Sequence, residues 1–429
     1  MGKIFYTIFL NLYELGFSIA AIFNRKARAG LKGREHLLST INSQLQVERN
    51  NGTGPSKTVW MHCSSLGEFE QGRPVAEAIK KHYPNHKFIL TFFSASGYEA
   101  MKNYAGADHI FYLPFDGKNN AEAVVKAFNP SLVLWVKYEY WFYYLTELKR
   151  RQVPVFLISG IFRPTQPFFQ WYGGLWKEML ACFSHLFVQN EPSAELLSGI
   201  GVTQNVTVSG DTRFDRVIEI VDNFKPVEYL DAFCGNAKVI VAGSTWEDDE
   251  AELTHYVKAN PQIRFVIAPH EVDPANLKDL KQEFPNSLFY SELVRNKQAN
   301  TNIEPGINVL LIDNVGMLSR LYHYADITYV GGGFGDEGVH NVLEAAVFGK
   351  PVLFGPEFEK FVEASDLVEN GGAIPIENAL EFEKVVSDLW NDEAQLKERG
   401  TTARQYVYEH SGASKQIIAF IQENRLLTN

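Results

Sequence analysis

Short apolar runs recur along the chain and alternate with longer segments whose apolar residues are spaced as in helices. The first series of such runs comprises residues 58–63, 87–92, 109–113, 132–136, 155–158 and 186–188. Strand-like runs separated by helix-length segments are typical of right-handed βαβ units, in which consecutive strands are parallel. The pattern therefore predicts an α/β domain built on a parallel sheet.

A second series of apolar runs repeats this arrangement without repeating its sequence. Its strand candidates are 238–242, 264–268, 309–312, 327–330 and 351–354. The chain has 429 residues, more than one hydrophobic core usually supports. We therefore predict two Rossmann-like domains, 29–222 and 223–429, facing each other across a cleft. In such domains, ligands bind beyond the carboxyl ends of the strands.

The N-terminal segment has a different pattern. Residues 4–23 are mostly apolar and aromatic, are interrupted by Asn11 and Glu14, and are followed by Arg25, Lys26 and Arg28. A signal peptide is disfavoured because the basic cluster follows the apolar stretch and no small-residue cleavage site is present. Residues 1–28 are predicted to be a membrane-anchoring helix on the cytoplasmic face. This helix either spans the bilayer or lies in the interface. The interfacial alternative is kept because the charge of Glu14 is costly inside a bilayer.

Charge and cysteine content exclude several classes of protein. Residues 1–57 carry eight Lys and Arg against three Glu, so a chain of net charge −11 is +5 there and −16 elsewhere. The acidic body makes general nucleic-acid binding improbable. The three cysteines are far apart and form no CxxC pair, which disfavours a disulfide framework or a zinc site.

A glycine run, 331–333, follows the strand candidate 327–330, and a helix is predicted to begin near His340. This layout is typical of a phosphate or nucleotide site, because backbone amides can approach a ligand there. A tight turn between a buried strand and a helix is the alternative.

Gly333, Gly335 and Gly338 also satisfy the GxGxxG pattern, so a dehydrogenase stays open. Against it, this is the fourth predicted strand of its domain, whereas a dinucleotide fingerprint normally occupies the first βα turn. The absence of a GxxxxGK[ST] sequence disfavours a P-loop NTPase.

Strand ends in the first half carry ionisable residues. Glu68 follows strand 58–63 near a predicted helix start, where it either favours the helix N-terminus electrostatically or acts as a general base. Lys137 and Glu139 follow strand 132–136 and lie on the same side if the strand persists. Arg213 is a planar donor for a carboxylate or phosphate, or else a structural partner of Asp211 or Asp215.

Turn segments also follow the strands of the second half, at 243–247, 269–271 and 313–316 in addition to the glycine run. Each alone is compatible with an ordinary turn and helix cap. Together, at successive strand ends, they favour a ligand site. No HExxH sequence and no His and Asp cluster with metal-ligand spacing is present, so metal-independent chemistry with no cofactor is predicted.

Three segments together resemble the 3-deoxy-D-manno-octulosonic acid (Kdo) transferases of Gram-negative bacteria. They are His-Cys-Ser-Ser-Leu-Gly-Glu (62–68), Val-Ser-Gly-Asp-Thr-Arg-Phe-Asp (208–215), and Gly-Gly (331–332) with His-Asn-Val-Leu-Glu-Ala-Ala (340–346). The resemblance implies the two-domain arrangement called GT-B. It also implies transfer of Kdo from a CMP-Kdo donor to a lipid A precursor, lipid IVA, at the cytoplasmic face of the inner membrane.

Carried over residue by residue, the resemblance makes Glu68 the general base and places Arg213 where a transition-state-stabilising Lys is usual. Glu139 is the retained second Glu of its strand end, and Lys137 is the neighbouring catalytic candidate. Glu344 is expected to accept hydrogen bonds from the ribose hydroxyls. The predicted nucleotide-binding residues are Ser244, Thr245, Pro269, His270, Asn314, Val315, Gly316, Met317, Gly332, Gly333, Asn341, Val342, Leu343 and Glu344.

The sequence departs from the commoner family pattern at four places. Lys137 replaces a usual Glu, Arg213 a usual Lys, Trp246 a common His, and His270-Glu271 a common Arg-His pair. These changes leave the role of position 137 open. The alternatives are a GT-B transferase that uses another nucleotide sugar, and a catalytically idle membrane scaffold that retains nucleotide binding.

Overall fold

The structure is a computed structural model that describes residues 2–50, 57–137, 139–298 and 304–428. The chain forms two compact units: unit 1 is Met1–Arg216 with Ser411–Asn429, and unit 2 is Val217–His410. Within the described residues, each unit contains one seven-stranded sheet, and every strand pair in it is parallel.

The sheet of unit 1 has the spatial order β3-β2-β1-β4-β5-β6-β7. Its strands are β1 (Thr58–Cys63), β2 (Lys87–Phe92), β3 (His109–Tyr112), β4 (Pro130–Val136), β5 (Val155–Gly160), β6 (His185–Val188) and β7 (Val206–Val208). All six residues of β1 are buried, as expected for a strand covered by helices on both faces. The chain order reverses between β1 and β4, and open α/β sheets bind ligands at this kind of switch point.

Helices cover this sheet. They are α1 (Gly2–Phe23), α2 (Arg25–Lys32), α3 (Leu37–Asn50), α4 (Leu66–His82), α5 (Ala95–Met101), α6 (Lys118–Phe128), α7 (Phe142–Arg150), α8 (Gly174–Leu180), α9 (Glu191–Gly199) and α10 (Thr212–Asp222). A 3-10 turn, Pro167–Phe169, precedes α8. Helix α4 packs closely on the sheet, because a Cβ at Gly72 would lie 2.8 Å from Met61 Sδ.

Helix α1 lies against unit 1 with one face. The Tyr6 hydroxyl donates to Asp116 Oδ2 at 2.7 Å, and Thr7 and Tyr143 share a hydrogen bond of 2.7 Å between their hydroxyls. The other face is apolar and exposed, and it includes Ile8, Leu12, Leu15, Ile19 and Ile22. Among the described residues, α1 is the one helix long and apolar enough to cross a membrane by length and composition.

The segment after His410 returns to unit 1. Helix α20 (Ala413–Glu423) contributes Ile417 and Ile421 to the same core as Val75 of α4. The Asp215 carboxylate accepts hydrogen bonds at 2.6 Å from the backbone amides of Gly412 and Ser414 at the start of this helix. The predicted domain 223–429 includes this segment, whereas its contacts are with unit 1.

The sheet of unit 2 has the spatial order β10-β11-β9-β8-β12-β13-β14. Its strands are β8 (Val239–Thr245), β9 (Arg264–Pro269), β10 (Ser287–Phe289), β11 (Val309–Leu311), β12 (Ile327–Val330), β13 (Val352–Phe354) and β14 (Ala373–Pro375). The chain order reverses between β8 and β12, which places the switch point of this sheet beside the glycine run.

Helices of unit 2 flank its sheet. They are α11 (Leu230–Cys234), α12 (Glu247–Ala259), α13 (Pro274–Glu283), α14 (Tyr290–Gln298), α15 (Leu318–Leu321), α16 (Leu343–Ala346), α17 (Val362–Glu369), α18 (Ala379–Asn391) and α19 (Glu393–Glu409), with a 3-10 turn at Tyr322–Tyr324.

The predicted α/β fold with two Rossmann-like sheets and an N-terminal apolar helix is confirmed. Two predictions about the glycine unit are wrong. Strand β12 is the fifth strand of unit 2, because β10 was not predicted. The helix begins at Leu343 rather than near His340 and has four residues. The segment before it is held in a loop, because the amides of Val339 and His340 donate to the backbone oxygens of Glu357 and Gly331.

Candidate active site

Glu68, Lys137 and Glu139 lie at one edge of the unit 1 sheet. Strands β1 and β4 are hydrogen-bonded neighbours, and these residues follow the carboxyl ends of the two strands. The switch point between β1 and β4 therefore carries two carboxylates and a cation. These residues lie at the same edge of the sheet because β1 and β4 are parallel.

The start of α4 fixes the position of Glu68. Ser65 caps the helix, and its hydroxyl accepts a hydrogen bond from the Glu68 amide at 3.4 Å. The Glu68 carboxylate in turn accepts a hydrogen bond from the Ser64 backbone amide. Glu68 thus has the helix-capping role that the sequence left open, and this role orients the carboxylate without preventing its use as a base.

The environment of Glu68 raises its pKa to about 7. Burial is the main cause, and the negative charge of Glu139 adds to it, whereas the Ser64 and Ser65 amides and Lys137 act in the opposite direction. A carboxyl group with a pKa near neutrality can accept a proton from a hydroxyl group far better than an ordinary glutamate.

Glu139 and Lys137 complete the strand end after β4. Burial raises the pKa of Glu139, and its contacts with the Ser64 hydroxyl and the Trp141 indole partly offset this. Lys137 has a φ of +62°, a left-handed conformation that costs a non-glycine residue about 1 to 3 kcal/mol. Such strain is typical of functional positions, where it aims a side chain away from the strand direction.

Gln71 is a site residue that sequence reasoning missed. It is buried on α4, one turn after Glu68. Only one orientation of its amide satisfies its neighbours, and in that orientation its oxygen accepts from Lys137 Nζ at 2.9 Å and from Arg213 Nε at 3.3 Å. Gln71 therefore links Lys137 and Arg213, and both of these residues depart from the commoner family pattern. The sequence offered one signal for it: Gln71 lies three residues after Glu68, a spacing that places both side chains on the same face of a helix.

Arg213 also forms the salt bridge that the sequence left open. Its Nε lies 2.8 Å from Asp211 Oδ2, and its backbone amide donates to Asp211 Oδ1 at 2.9 Å. Asp215 instead caps α20. The guanidinium of Arg213 keeps 26% side-chain exposure, so these contacts orient it without enclosing it.

Replacing Gln71 with leucine removes the shared acceptor at nearly constant volume. We expect kcat to fall about 5- to 160-fold, because losing a buried acceptor for charged donors costs about 1 to 3 kcal/mol. Gln71→Glu keeps an acceptor oxygen and serves as the conservative control. Steady-state kinetics measure both variants, with CMP affinity as an internal reference. A Gln71→Leu enzyme with unchanged kcat would show that Gln71 does not orient the two cations.

Unit 2 has a stack of three rings at the carboxyl ends of β8, β9 and β12. The rings of Trp246 and His270 lie 4.5 Å apart at 25°, and those of His270 and His340 lie 4.5 Å apart at 9°. Trp246 Nε1 donates to His340 Nε2 at 2.9 Å. Burial, with the adjacent His270, lowers the pKa of His340 to about 4, so His340 is neutral and keeps the lone pair that accepts this bond.

Asp249 is the second residue that sequence reasoning missed. Its buried carboxylate accepts from the Gly332 amide at 2.8 Å, the Trp246 amide at 2.9 Å and the Tyr329 hydroxyl at 2.7 Å. It lies three residues after Trp246, the spacing of a capping box. This carboxylate ties the loop after β8 to the loop after β12.

The glycine run has a packing role in this structure. The amides of Gly331 and Gly332 donate to Gly243 and Asp249, so neither is directed at a ligand. A Cβ at Gly331 would lie 2.4 Å from the Ser244 backbone oxygen, so this position requires glycine. With only four residues, α16 adds little electrostatic attraction for a phosphate.

The other predicted nucleotide-binding residues differ in accessibility. His270, Asn314, Val315 and Gly316 are exposed, Ser244 is half-buried with a φ of +54°, and Asn341 donates to Glu344 at 3.1 Å. Thr245, Met317, Val342 and Leu343 are buried, and the Thr245 hydroxyl already donates to Glu250 at 2.8 Å. Pro269 ends β9, and Gly332 and Gly333 are buried in the glycine run. The accessible polar side chains are therefore those of Ser244, His270, Asn314, Asn341 and Glu344.

Clusters of three or more His, Cys, Asp or Glu side chains placed to hold a metal ion are absent from the part of the chain that the structure describes.

Comparison with known families decides the assignment. Residues 36–216 match the model of the family described as 3-deoxy-D-manno-octulosonic-acid transferase (kdotransferase). Residues 36–216 of this chain are therefore a domain of the Kdo transferase type. The Kdo transferase match contains Glu68, Gln71, Lys137, Glu139 and Arg213, and it makes this chain a glycosyltransferase.

Relatives of the Kdo transferase type extend the similarity into unit 2. The Kdo transferase of Bordetella pertussis is 25% identical over 85% of this chain and 87% of its own length. That of Chlamydia muridarum is 26% identical over 82% of this chain and 84% of its own. A bifunctional glycosyltransferase/methyltransferase of Fusobacterium nucleatum is 25% identical over 92% of this chain, which spans 59% of that relative.

Solved structures support the GT-B fold of this chain. UDP-GlcNAc 2-epimerase from Neisseria meningitidis matches with a TM-score of 0.61 and 18% identity, over 85% of this chain and all of that one. MurG of Acinetobacter baumannii matches with a TM-score of 0.50 and 12% identity, over 86% of this chain. At these identities the likeness concerns the fold alone.

Proposed function

We propose that this enzyme transfers Kdo from CMP-Kdo to a lipid A precursor, lipid IVA, in lipopolysaccharide synthesis, without a metal ion. The match to the Kdo transferase family model supports the sugar, and the surroundings of Glu68 support the mechanism. The observation that carries the proposal is a carboxyl group with a pKa of about 7 at the switch point of unit 1, beside Lys137.

In the proposed reaction, Glu68 accepts the proton of a sugar hydroxyl on the acceptor. The oxygen attacks the anomeric carbon of Kdo, the bond from that carbon to the phosphate oxygen breaks, and CMP leaves with the electron pair. Arg213 and Lys137 offset the negative charge of the donor carboxylate or the departing phosphate. Glu139 contributes by raising the pKa of Glu68, which makes the base stronger.

Unit 2 is proposed to bind the CMP group. The exposed ring of His270, stacked on His340, offers an apolar face of the kind on which nucleobases stack. Glu344, oriented by Asn341, is proposed to accept hydrogen bonds from the ribose hydroxyls. Ser244 and the loop 314–317 complete the proposed site. Asp249 would fix its geometry through Gly332 without touching the nucleotide.

We propose that the enzyme is attached to the cytoplasmic face of the inner membrane by α1, and that α1 lies in the interface rather than spanning the bilayer. Two observations support this geometry. The polar contacts of Tyr6 and Thr7 hold one face of α1 on unit 1, and the opposite face is apolar and exposed. The basic residues Arg25, Lys26 and Arg28 follow on α2, where they would face anionic headgroups.

The double substitution Leu12→Lys and Ile19→Lys tests this attachment. Both side chains are more than half exposed on the apolar face of α1, so the folded unit should tolerate them. Binding to anionic vesicles, measured by co-sedimentation, is expected to fall at least tenfold, because each apolar side chain contributes about 1.5 to 3 kcal/mol when buried. Gln44→Lys, exposed on α3, is the control. Unchanged vesicle binding by the double variant would contradict the proposed geometry.

The reaction itself is tested by the mass of the product after incubation with CMP-Kdo and a tetra-acylated lipid A precursor. The expected result is a product heavier by one or more Kdo residues, with equal yield in the presence of EDTA. CMP should bind more tightly than UDP. Preferential UDP binding would indicate another nucleotide sugar, NADH binding would revive the dehydrogenase, and CMP binding without any product would favour the idle scaffold.

A further inference from the structure

An apolar cavity of about 780 Å³ lies between α1 and α8 in unit 1. Phe5 and Phe9 of α1 form one side, and Leu175, Trp176 and Met179 of α8 form the other. The segment after β4 forms its floor with Glu139, Tyr140 and Trp141. The proposed reaction assigns no role to this cavity.

The two ends of the cavity differ in chemistry. At the inner end, Glu139 is close enough to Glu68 for its charge to raise the pKa of Glu68, and Ser64 contacts both carboxylates. At the outer end, Phe5 is 68% exposed and Phe9 is 56% exposed, and both belong to the apolar face of α1. The lining thus includes Glu139, a neighbour of the proposed base, and residues of the surface proposed to contact the membrane.

We propose that this cavity binds one acyl chain of the acceptor lipid while the sugar hydroxyl of the same molecule lies at Glu68. This inference rests on the proposed function and adds a binding site for the hydrophobic part of the acceptor. The cavity then orients the acceptor, because a chain held between α1 and α8 fixes the position of the attached sugar relative to the base.

The walls favour an acyl chain over other occupants. They are mostly aromatic and aliphatic, Glu139 is the one charged residue among the lining residues, and an anionic group such as a phosphate would be repelled by its carboxylate. An acyl chain carries no charge and enters from the apolar face of α1. A chain from an ordinary phospholipid has the same chemistry, but its headgroup offers no sugar hydroxyl at Glu68. We therefore assign the cavity to the acceptor.

Gly174 allows the cavity to be filled without disturbing the fold. It is the first residue of α8, it lines the cavity, and a Cβ added there meets no heavy atom within 4 Å. Gly174→Phe should therefore occupy the cavity. Gly199→Phe is the matched control, because Gly199 is an exposed helical glycine of unit 1 whose added Cβ is equally unobstructed and which does not line the cavity.

A series of acceptors whose acyl chains differ in length by two carbons tests whether the chain is buried in the cavity. For an acceptor presented to the enzyme as monomers in water, each buried methylene changes affinity about fourfold, so kcat/KM of the unmodified enzyme should fall about fifteenfold per two carbons removed. Gly174→Phe should lower kcat/KM for the full-length acceptor at least tenfold and abolish the dependence on length, with CMP affinity unchanged. Gly199→Phe should behave like the unmodified enzyme. Equal length dependence in both variants would overturn the proposal.

Photo-crosslinking tests occupancy without relying on turnover. A diazirine near the end of an acyl chain is placed either on the tetra-acylated acceptor or on phosphatidylethanolamine, in vesicles with the unmodified enzyme. The acceptor should label Met179 and Trp176, and the phospholipid should label only the exposed face of α1. Labelling of that face alone by both probes, or equal labelling of Met179 by both, overturns the assignment. Failure of Kdo transfer in the same samples would instead contradict the proposed function.

Discussion

Replacing Glu68 with glutamine is expected to lower kcat about 10²- to 10⁴-fold, the range lost when a general base is removed. Glutamine keeps the shape of the side chain and an oxygen that can accept the Ser64 amide, so the start of α4 should be preserved. CMP affinity should be nearly unchanged, since the residues proposed to bind the nucleotide belong to unit 2. A Glu68→Gln enzyme with normal kcat would show that another group accepts the proton.

The pH dependence of the reaction gives an independent readout of the same residue. Glu68 must be ionised to act as a base, so kcat/KM of the unmodified enzyme should rise with pH to a plateau above an apparent pKa of about 7. An unperturbed glutamate would give a plateau from about pH 5 upwards. Glu70→Gln, on the same helix, is the control, and it should keep both the rate and the pH profile. A Glu68→Gln profile that still rises through pH 7 would assign the titration elsewhere.

The raised pKa of Glu68 also predicts an effect on stability. The ionised form that increases the rate decreases the stability of the folded protein. The folded state favours the protonated form of Glu68, because its pKa of about 7 lies above the ordinary value of 4.5. The ionised carboxylate therefore destabilises the fold increasingly as pH rises from about 4.5 to 7, by up to about 3 kcal/mol. Glu68→Gln removes this penalty. Its melting temperature should match that of the unmodified enzyme near pH 4.5 and exceed it at pH 8.

Replacing Asp249 with alanine is expected to have the largest effect in unit 2. The substitution leaves the amides of Trp246 and Gly332 and the hydroxyl of Tyr329 buried without their acceptor. We expect the free energy of unfolding of unit 2 to fall by about 3 to 5 kcal/mol, because unsatisfied buried donors retain their full desolvation cost. CMP affinity should fall as well, because the loops after β8 and β12 lose their common anchor.

Asp248→Ala is the matched control, since Asp248 is an exposed neighbour on the same helix. It should leave both stability and CMP affinity within the range of ordinary surface substitutions, about 0.5 kcal/mol. Thermal unfolding and CMP titration of the two variants make the comparison. Equal behaviour of Asp248→Ala and Asp249→Ala would show that the three hydrogen bonds do not stabilise the nucleotide site.

The sequence predicted the interior strands well and the edges of the sheets poorly. Strands β1, β2 and β12 have the predicted bounds, because long apolar runs buried on both faces produce an unambiguous pattern. Strands β7, β10 and β14 were not predicted. Each has three residues and lies at the edge of its sheet, where partial exposure and short length leave no periodicity to detect.

The candidate site was predictable only in part, for a related reason. The position of a residue at a strand end is local information, so Glu68, Lys137 and Glu139 could be found from the chain alone. The roles of Gln71 and Asp249 depend on partners distant in sequence, and those contacts exist only after the strands are paired. For the glycine run the sequence left a ligand site and a tight turn open, and only the three-dimensional packing shows why residue 331 is a glycine.

The return of α20 to unit 1 has a consequence for how the protein is made. Unit 2 is an insertion between two parts of unit 1, and the core that supports α4 includes Ile417 and Ile421. During synthesis the ribosome therefore releases all of unit 2 before the helix that covers α4 emerges. Unit 2 can fold while unit 1 still exposes apolar surface, because the core under α4 is completed only after residues 411–423 have been translated.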